Sequence, residues 1–128
     1  MNIYSFGWSF AEQYPLRYAI PDADLVLDVR PVLDHEINDI CTADRTGLEL
    51  EVRECIMINP YAQELVETAF DYITNKNSSG SIAFGCVFGK HRSVSLAIEL
   101  GERLERENYL IEVKHLSFER GFVGEDEE

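Results

Sequence analysis

Apolar and polar positions along this chain alternate between short strand-like runs and longer helix-like stripes. Residues 3–10 are rich in aromatic side chains, residues 25–30 (LVLDVR) form a short β-branched run that ends in polar residues, and residues 81–88 (SIAFGCVF) form an apolar run. Runs of this kind predict strands, and the profile of residues 25–30 is typical of an inner strand of a sheet. The alternation in YLIEVKHL, residues 109–116, predicts a last strand.

Two segments carry the one-sided apolar stripe of a helix that packs on a core. Asn59 is a good N-cap and Pro60 suits the first helical position, ahead of a stripe made of Ala62, Leu65, Val66, Ala69, Phe70 and Ile73. A second helix is predicted from residue 91 or 92, with a stripe made of Val94, Ala97, Ile98, Gly101 and Leu104. On its outer face we expect two ion pairs four residues apart, Glu99–Arg103 and Glu102–Arg106.

The remaining segments predict a short helix, a loop and a tail. At residues 48–56 the apolar spacing fits a helix and a strand, and we favour the helix. Residues 31–46 are rich in charged and amide groups and predict an exposed loop, while residues 120–128 predict a frayed acidic tail. Strands that alternate with helices favour a single three-layer α/β domain over residues 1–128, with a mostly parallel sheet of about four strands and flanking helices.

Composition and charge limit the partners that such a domain can bind. Of the 128 residues, 45% are hydrophobic and 27% charged, as in a folded protein, and the formal net charge is −13. An acidic surface repels nucleic-acid phosphates and anionic membranes, although one small basic pocket can still bind a single anion. No apolar run has membrane-spanning length and no signal peptide is indicated, so we expect a cytoplasmic protein without a membrane partner.

The three cysteines give no sign of a metal centre. Cys41, Cys55 and Cys86 lie far apart, without a CxxC motif or a histidine at a metal-ligand interval. An odd number of widely spaced cysteines predicts reduced thiols, and we expect neither a metal nor a cofactor.

The main chemical signal is the segment GCVFGKHRS, residues 85–93, where a buried strand passes through a tight loop into a helix. A helix start offers unpaired N–H groups and the positive end of the helix dipole, which attract an anion. Gly85 and Gly89 allow the backbone to approach a ligand. Lys90 and Arg92 add positive charge, and Ser93 adds a hydroxyl donor. We favour this phosphate-binding loop over the alternative, in which the glycines only shape a turn and the basic side chains are solvated.

The same loop matches the C-x5-R-S pattern of cysteine-dependent phosphatases, with Cys86 in the nucleophile position. In those enzymes the loop amides and the arginine bind phosphate while a thiolate attacks phosphorus. The residue before Cys86 is glycine rather than the histidine usual in those enzymes, so we favour Cys86 as a small apolar residue that finishes a buried strand. A general acid for such an enzyme stays open among Asp28, Asp34 and His35.

Several blocks of the sequence resemble the C-terminal domain of the RapZ family of RNase adapter and nucleotide-binding proteins. GCVFGKHRSV resembles the family motif GCTGGKHRSV, and DADLVLDVR resembles DADYVFDVR. TGLELEV resembles TGLDKPV, and YSFGWSF resembles ESFGFKHG. These blocks keep the order of the family and span nearly the whole chain. Family members also carry a kinase-like domain with a Walker motif, and this sequence has no GxxxxGK[ST], so ATP hydrolysis is not inherited.

The resemblance implies a ligand class and a set of site residues. The related domain is similar to a sugar-phosphate-kinase subdomain and, in the bacterial adapter, it binds glucosamine-6-phosphate, contacts small RNA and recruits a ribonuclease. By resemblance, Asp28 and Arg30 face the loop across the strand ends. His35 stands near a ligand-sensing histidine of the family, unless it is a solvated loop residue. The ligand-binding set is Gly85, Cys86, Val87, Phe88, Gly89, Lys90, His91, Arg92, Ser93, Asp28, Arg30, His35, Thr46 and Gly47.

Two departures from the family pattern bear on specificity. Val87 and Phe88 replace a threonine and a glycine of the family loop, so a hydroxyl donor is lost and bulk is added. This change alters the expected sugar or nucleoside specificity. The basic tail of the family is replaced by KHLSFERGFVGEDEE, which argues against RNA binding by that route.

We therefore expect a sensor or adapter domain without its own catalysis, which binds a small phosphorylated metabolite or nucleotide such as a phosphosugar, ATP or GTP. One alternative is a phosphatase or phosphotransferase with Cys86 as nucleophile. The other is an interaction adapter for RNA or, as the acidic charge allows, for a protein. A homo-oligomer also stays open.

Overall fold

The structure, a computed structural model, describes residues 1–13, 20–32, 46–76, 80–87 and 91–119 of the chain. Strands and helices alternate along these residues, as predicted. The elements are β1 (Asn2–Gly7), α1 (Trp8–Gln13), β2 (Leu25–Asp28), α2 (Leu50–Met57), α3 (Pro60–Lys76), β3 (Ile82–Cys86), α4 (Arg92–Arg106), β4 (Glu112–His115) and α5 (Leu116–Glu119).

The four strands form one all-parallel sheet in the order β2-β3-β1-β4, flanked by helices. Ile82 of β3 is in register with Ile3 of β1 on one side and with Leu25 of β2 on the other. On the far side of β1, Asn2 is in register with Glu112 of β4. This architecture confirms the predicted α/β class and is consistent with its three layers.

The core lies between the sheet and the helices, with α4 at its centre. All five residues of β3 are buried, and α4 packs against β1, β3 and β4. Leu96, Leu100 and Leu104 of α4 are fully buried, and burying one such side chain contributes about 2 kcal/mol. The helices α2 and α3 pack on α4 in turn. Their buried apolar residues are Val52, Ile56, Ala62, Leu65, Val66, Ala69 and Ile73.

The start of α3 confirms the predicted cap. Asn59 Oδ1 accepts hydrogen bonds from the backbone N–H groups of Tyr61 at 2.8 Å and Ala62 at 3.2 Å. Pro60 occupies the first helical position, where its missing N–H costs nothing. The helix favoured over a strand at residues 48–56 is also confirmed, as α2.

Two strand predictions are wrong in detail. The run at residues 25–30, predicted as an inner strand, lies at the edge of the sheet and ends at Asp28, and Val26 remains 36% exposed. The opening strand ends at Gly7 rather than at residue 10, because α1 begins at Trp8. Beyond that end, the Ser9 N–H still donates to the Val87 carbonyl at 3.0 Å.

The ion pairs predicted along α4 are also wrong, because its charged side chains pair with other helices. Arg103 Nη1 lies 3.0 Å from Glu67 Oε1 of α3, and Glu102 Oε2 lies 3.3 Å from Arg53 Nη1 of α2. The Arg103 guanidinium also lies over the Phe70 ring, 4.3 Å from its centroid. These contacts join the three helices instead of supporting one.

Most of the predicted loop at residues 31–46 and the acidic tail lie outside the described residues. Within the described ranges, no helix combines the length and the apolar character needed to cross a membrane.

Candidate functional site

The carboxyl ends of β1, β2 and β3 meet at one edge of the sheet. Gly7 is in register with Cys86, and Asp28 with Gly85. Just beyond β3, α4 begins at Arg92. The structure thus brings Asp28, Gly85 and the start of α4 to the same edge, where open α/β sheets bind their ligands.

Asp28 and Arg30 form a bidentate ion pair at the end of β2. Arg30 donates from Nε to Asp28 Oδ1 and from Nη2 to Oδ2, each at 2.9 Å, and its backbone N–H donates to Oδ1 at 2.9 Å. The side-chain bonds from Arg30 lower the pKa of the Asp28 carboxyl, against the effect of its partial burial, and Asp28 in turn raises the pKa of Arg30. The two side chains are 42% and 41% exposed, so the pair is fixed in geometry yet open to solvent.

Trp8 lies beneath this ion pair and was not among the predicted site residues. The Arg30 guanidinium carbon lies over the indole, 4.8 Å from the ring centroid. The indole N–H donates to the Gly85 carbonyl at 2.9 Å, and the Phe6 ring meets the indole edge-on with 4.8 Å between centroids. Trp8 gave no signal of this place in the sequence, because the first strand was predicted to continue to residue 10 and ends instead at Gly7.

Gly85 is required for the packing of Phe6 and Trp8 against β3. A Cβ on Gly85 would overlap the Phe6 ring and would lie 2.7 Å from the Trp8 indole nitrogen. The Gly85 carbonyl accepts from both the Trp8 indole and the Val29 N–H, the latter at 2.8 Å. Gly85 therefore joins β1 and β2 to β3 at the point where the site begins.

Arg92 faces the same edge and is already engaged with backbone. Its Nη1 donates to the carbonyl of Arg30 at 3.1 Å and to that of Val32 at 3.0 Å. Arg92 therefore braces the chain that leaves β2, in addition to bringing a positive charge to the first turn of α4. The N-cap residue, His91, makes no side-chain capping bond to this helix.

Cys86 and Ser93 contact each other below the surface. The Cys86 thiol donates to Ser93 Oγ at 3.2 Å, and the two residues are 3% and 0% exposed. This placement suits the interpretation of Cys86 as the last residue of a buried strand. Val87 follows it and is partly buried.

Thr46 and Gly47 lie in the loop before α2, and Gly47 packs against the first turn of α4. Thr46 Oγ1 accepts from the Leu48 N–H at 3.2 Å and closes a local turn. A Cβ on Gly47 would overlap the His91 carbonyl oxygen and would lie 2.8 Å from both the Ser95 nitrogen and Ser95 Oγ. Only glycine therefore allows this loop to lie against the helix start.

Ser95 also borders this site and was not among the predicted site residues. It is 0% exposed, and its hydroxyl has no hydrogen-bond partner among the residues that the structure describes. Ser95 lies between Val94 and Leu96, which are also buried. A small residue at such a position is common in a helix core, so the sequence pattern does not mark Ser95 as a site residue.

The other predicted site residues lie outside the described part of the chain: His35, Phe88, Gly89 and Lys90. In the described ranges, no group of three or more metal-ligating side chains could hold a metal ion. Cys55 and Cys86 are both free of disulfide bonds.

An all-parallel sheet flanked by helices, with polar side chains at its carboxyl edge, places this chain among the α/β domains. Comparison with known proteins gives the family: residues 1–119 match the model of the RapZ C-terminal domain. The chain belongs to the RapZ C-terminal domain family, which confirms the resemblance of its sequence blocks.

The curated relatives are longer proteins. A "Nucleotide-binding protein" of Moorella thermoacetica is 36% identical over 124 residues, covering 90% of this chain and 38% of the relative. "Nucleotide-binding protein NTHI1314" of Haemophilus influenzae is 36% identical over 118 residues (85% and 41%). A "Nucleotide-binding protein" of Limosilactobacillus fermentum is 37% identical over 125 residues (90% and 40%). The chain thus spans about two fifths of the length of the relatives it matches.

Proposed function

We propose that this domain binds a small phosphorylated metabolite or nucleotide at the carboxyl edge of β1, β2 and β3, and that it acts as a sensor or adapter. The observation that carries the proposal is the meeting of Arg30, Arg92 and the start of α4 at one sheet edge, in a chain of net charge −13. The printed names of the relatives, "Nucleotide-binding protein", support this ligand class.

The electrostatics favour an anion at this edge. The start of a 15-residue helix carries roughly half a positive charge on its first N–H groups. Arg30 and Arg92 add two full charges beside it. Among the described residues, Asp28 offsets this charge within its ion pair, and Glu12 of α1 also attracts Arg30. A phosphate would therefore meet locally positive potential on a protein whose overall field repels anions.

The proposed ligand set keeps all the residues expected from the sequence. The described members at the edge are Asp28, Arg30, Gly85, Val87, His91 and Arg92, with Cys86, Ser93, Thr46 and Gly47 behind them. His35, Phe88, Gly89 and Lys90 enter the set from the sequence alone. Among its described members, Arg30 is the basic side chain more open to a ligand, since Arg92 already donates to two carbonyls.

Isothermal titration calorimetry with ATP, GTP, glucosamine-6-phosphate and inorganic phosphate tests the proposal. The wild-type domain should bind at least one of these anions, more weakly as salt increases. Arg30→Gln should weaken the binding about tenfold or more, because a charged hydrogen bond contributes about 1.5–3 kcal/mol. Arg103→Gln is the matched control. It removes an arginine that pairs with Glu67 between α4 and α3, away from the sheet edge, and it should leave anion binding unchanged. Binding that is equal in all three proteins, or absent for every anion, would refute the proposal.

We also infer that Cys86 is not a nucleophile, because its thiol is buried and donates to Ser93. Turnover of para-nitrophenyl phosphate by the wild-type domain that disappears in Cys86→Ser would overturn this inference.

A further inference from the structure

We propose that Trp8 is a positioning residue of the anion site, whose indole holds the Arg30 guanidinium in one orientation at the carboxyl edge of the sheet. The inference rests on the proposed function. It adds the residue that orients Arg30 before an anion binds.

The indole is itself fixed in place. Its N–H donates to the Gly85 carbonyl at 2.9 Å, and Phe6 packs against it edge-on. With no Cβ on Gly85, the indole nitrogen lies directly against the backbone of β3. Trp8 thus connects the rigid interior of the sheet to its solvent-exposed edge.

Arg30 is held from two directions on this support. One face of its guanidinium lies over the indole at 4.8 Å, and its Nε and Nη2 are bound by Asp28. Glu12 of α1 adds a further attraction, which contributes to the raised pKa of Arg30. The opposite face and Nη1 have no partner among the described residues, and these are the parts that a ligand can use.

Holding an exposed arginine before the ligand arrives matters because a free arginine side chain loses much rotamer entropy when it is ordered. With Trp8 and Asp28 in place, most of that loss has occurred on folding. Binding an anion to Arg30 then costs less ordering. Removing the indole should therefore weaken anion binding by about threefold to tenfold, the range expected for loss of one such stacked contact.

The chain contains a matched control for this arrangement. Arg103 lies over the Phe70 ring at 4.3 Å and pairs with Glu67 at 3.0 Å, so aromatic ring, guanidinium and carboxylate are combined in the same way. This second cluster lies among the helices, where its Arg103 and Glu67 line an open cavity of about 350 Å³ together with Glu99 and Met57. Phe70→Leu removes a comparable contact away from the sheet edge.

The first measurement needs no ligand. Carboxyl NMR should follow the titration of Asp28 in the wild-type domain and in Trp8→Leu, Trp8→Phe and Phe70→Leu. Both Arg30 and the indole contribute to the lowered pKa of Asp28. We expect this pKa to rise in Trp8→Leu, to rise less in Trp8→Phe, which keeps a ring without the N–H, and to stay unchanged in Phe70→Leu.

The second measurement is calorimetry of the same four proteins with inorganic phosphate, ATP and glucosamine-6-phosphate. Binding should weaken threefold to tenfold in Trp8→Leu and less in Trp8→Phe, and it should be unchanged in Phe70→Leu. Since Trp8 is the only tryptophan, quenching of its fluorescence by the anion gives an independent reading of the wild-type affinity.

The outcomes separate the two proposals. If the wild-type domain and Trp8→Leu bind an anion equally well, or if the Asp28 pKa is the same in both, the role of Trp8 is refuted and the proposed function is not. A wild-type domain that binds none of the three probes would refute the proposed function, and the positioning role with it. If Trp8→Leu fails to fold, the comparison between wild type and Trp8→Phe decides in the same way.

Discussion

Replacing Gly47 by alanine tests the contact that seats the loop before α2 against the first turn of α4. An added Cβ would overlap the His91 carbonyl oxygen and would lie 2.8 Å from the Ser95 nitrogen. Both are backbone atoms of a helix turn, so neither can rotate away. Either the loop or the start of α4 must shift.

The expected cost follows from two opposing effects. Overpacking of a tight contact costs about 1–3 kcal/mol. Alanine also restricts the unfolded chain and recovers about 0.4–1 kcal/mol. The net loss in the free energy of unfolding should be about 1–2 kcal/mol, which lowers Tm by about 3–10 °C for a domain of this size.

Urea unfolding followed by circular dichroism measures this loss, and Gly101→Ala is its control. A Cβ on Gly101 would lie 3.1 Å from Val113 Cγ2, a side-chain atom that can move. Alanine also gains about 1 kcal/mol of helix propensity inside α4. Gly101→Ala should therefore be neutral or stabilising. A Gly47→Ala domain as stable as wild type, or an equal loss in Gly101→Ala, would refute the packing argument. Since the shifted turn borders the candidate site, phosphate binding should weaken in Gly47→Ala as well.

Three further predictions concern single groups. Ser95→Ala removes a buried hydroxyl without a described partner and should raise the free energy of unfolding by about 1 kcal/mol, whereas a loss in urea unfolding would show that the hydroxyl is satisfied. Burial lowers the pKa of His115, which also contacts Ser5 Oγ at 2.8 Å. The unfolded chain then binds the proton more tightly, so stability should be complete above about pH 6.5 and decline as pH falls through the folded pKa. His115→Gln should flatten that decline in melts between pH 7 and 5, and an unchanged slope would contradict the assignment. Asn59→Ala removes the cap of α3 and should lower the free energy of unfolding by about 1 kcal/mol. A negligible change in Tm would contradict this prediction.

The elements with the clearest patterns could be predicted from the sequence. The Asn59 cap and the apolar stripe fix α3 by local chemistry, and the run of small and apolar residues around Phe84 fixes β3. The parallel arrangement of βα units also implies that Asp28 and Gly85 end at the same edge, as the register shows. These predictions need only the periodicity of nearby residues.

The features that were missed depend on partners far away in the sequence. Whether the run at residues 25–30 lies inside the sheet or at its edge depends on what pairs with it, and its own apolar residues are compatible with both. Nothing in the sequence around Arg92 indicates that its Nη1 also donates to carbonyls some sixty residues earlier in the chain. In the sequence, Trp8 looks like any aromatic residue of a core. Its hydrogen-bond partner, the Gly85 carbonyl, is known only once β3 is placed beside it.

The interior place of β1 has a consequence for how this chain is made. β1 emerges from the ribosome before the two strands that pair with it, β3 and then β4, because its partners are residues 82–86 and 112–115. During that interval its apolar residues must be kept from other chains, since both of its edges lack a partner strand. A nascent chain halted before residue 112 would keep one edge of β1 open, and such fragments should aggregate, or bind chaperones, more readily than the finished domain.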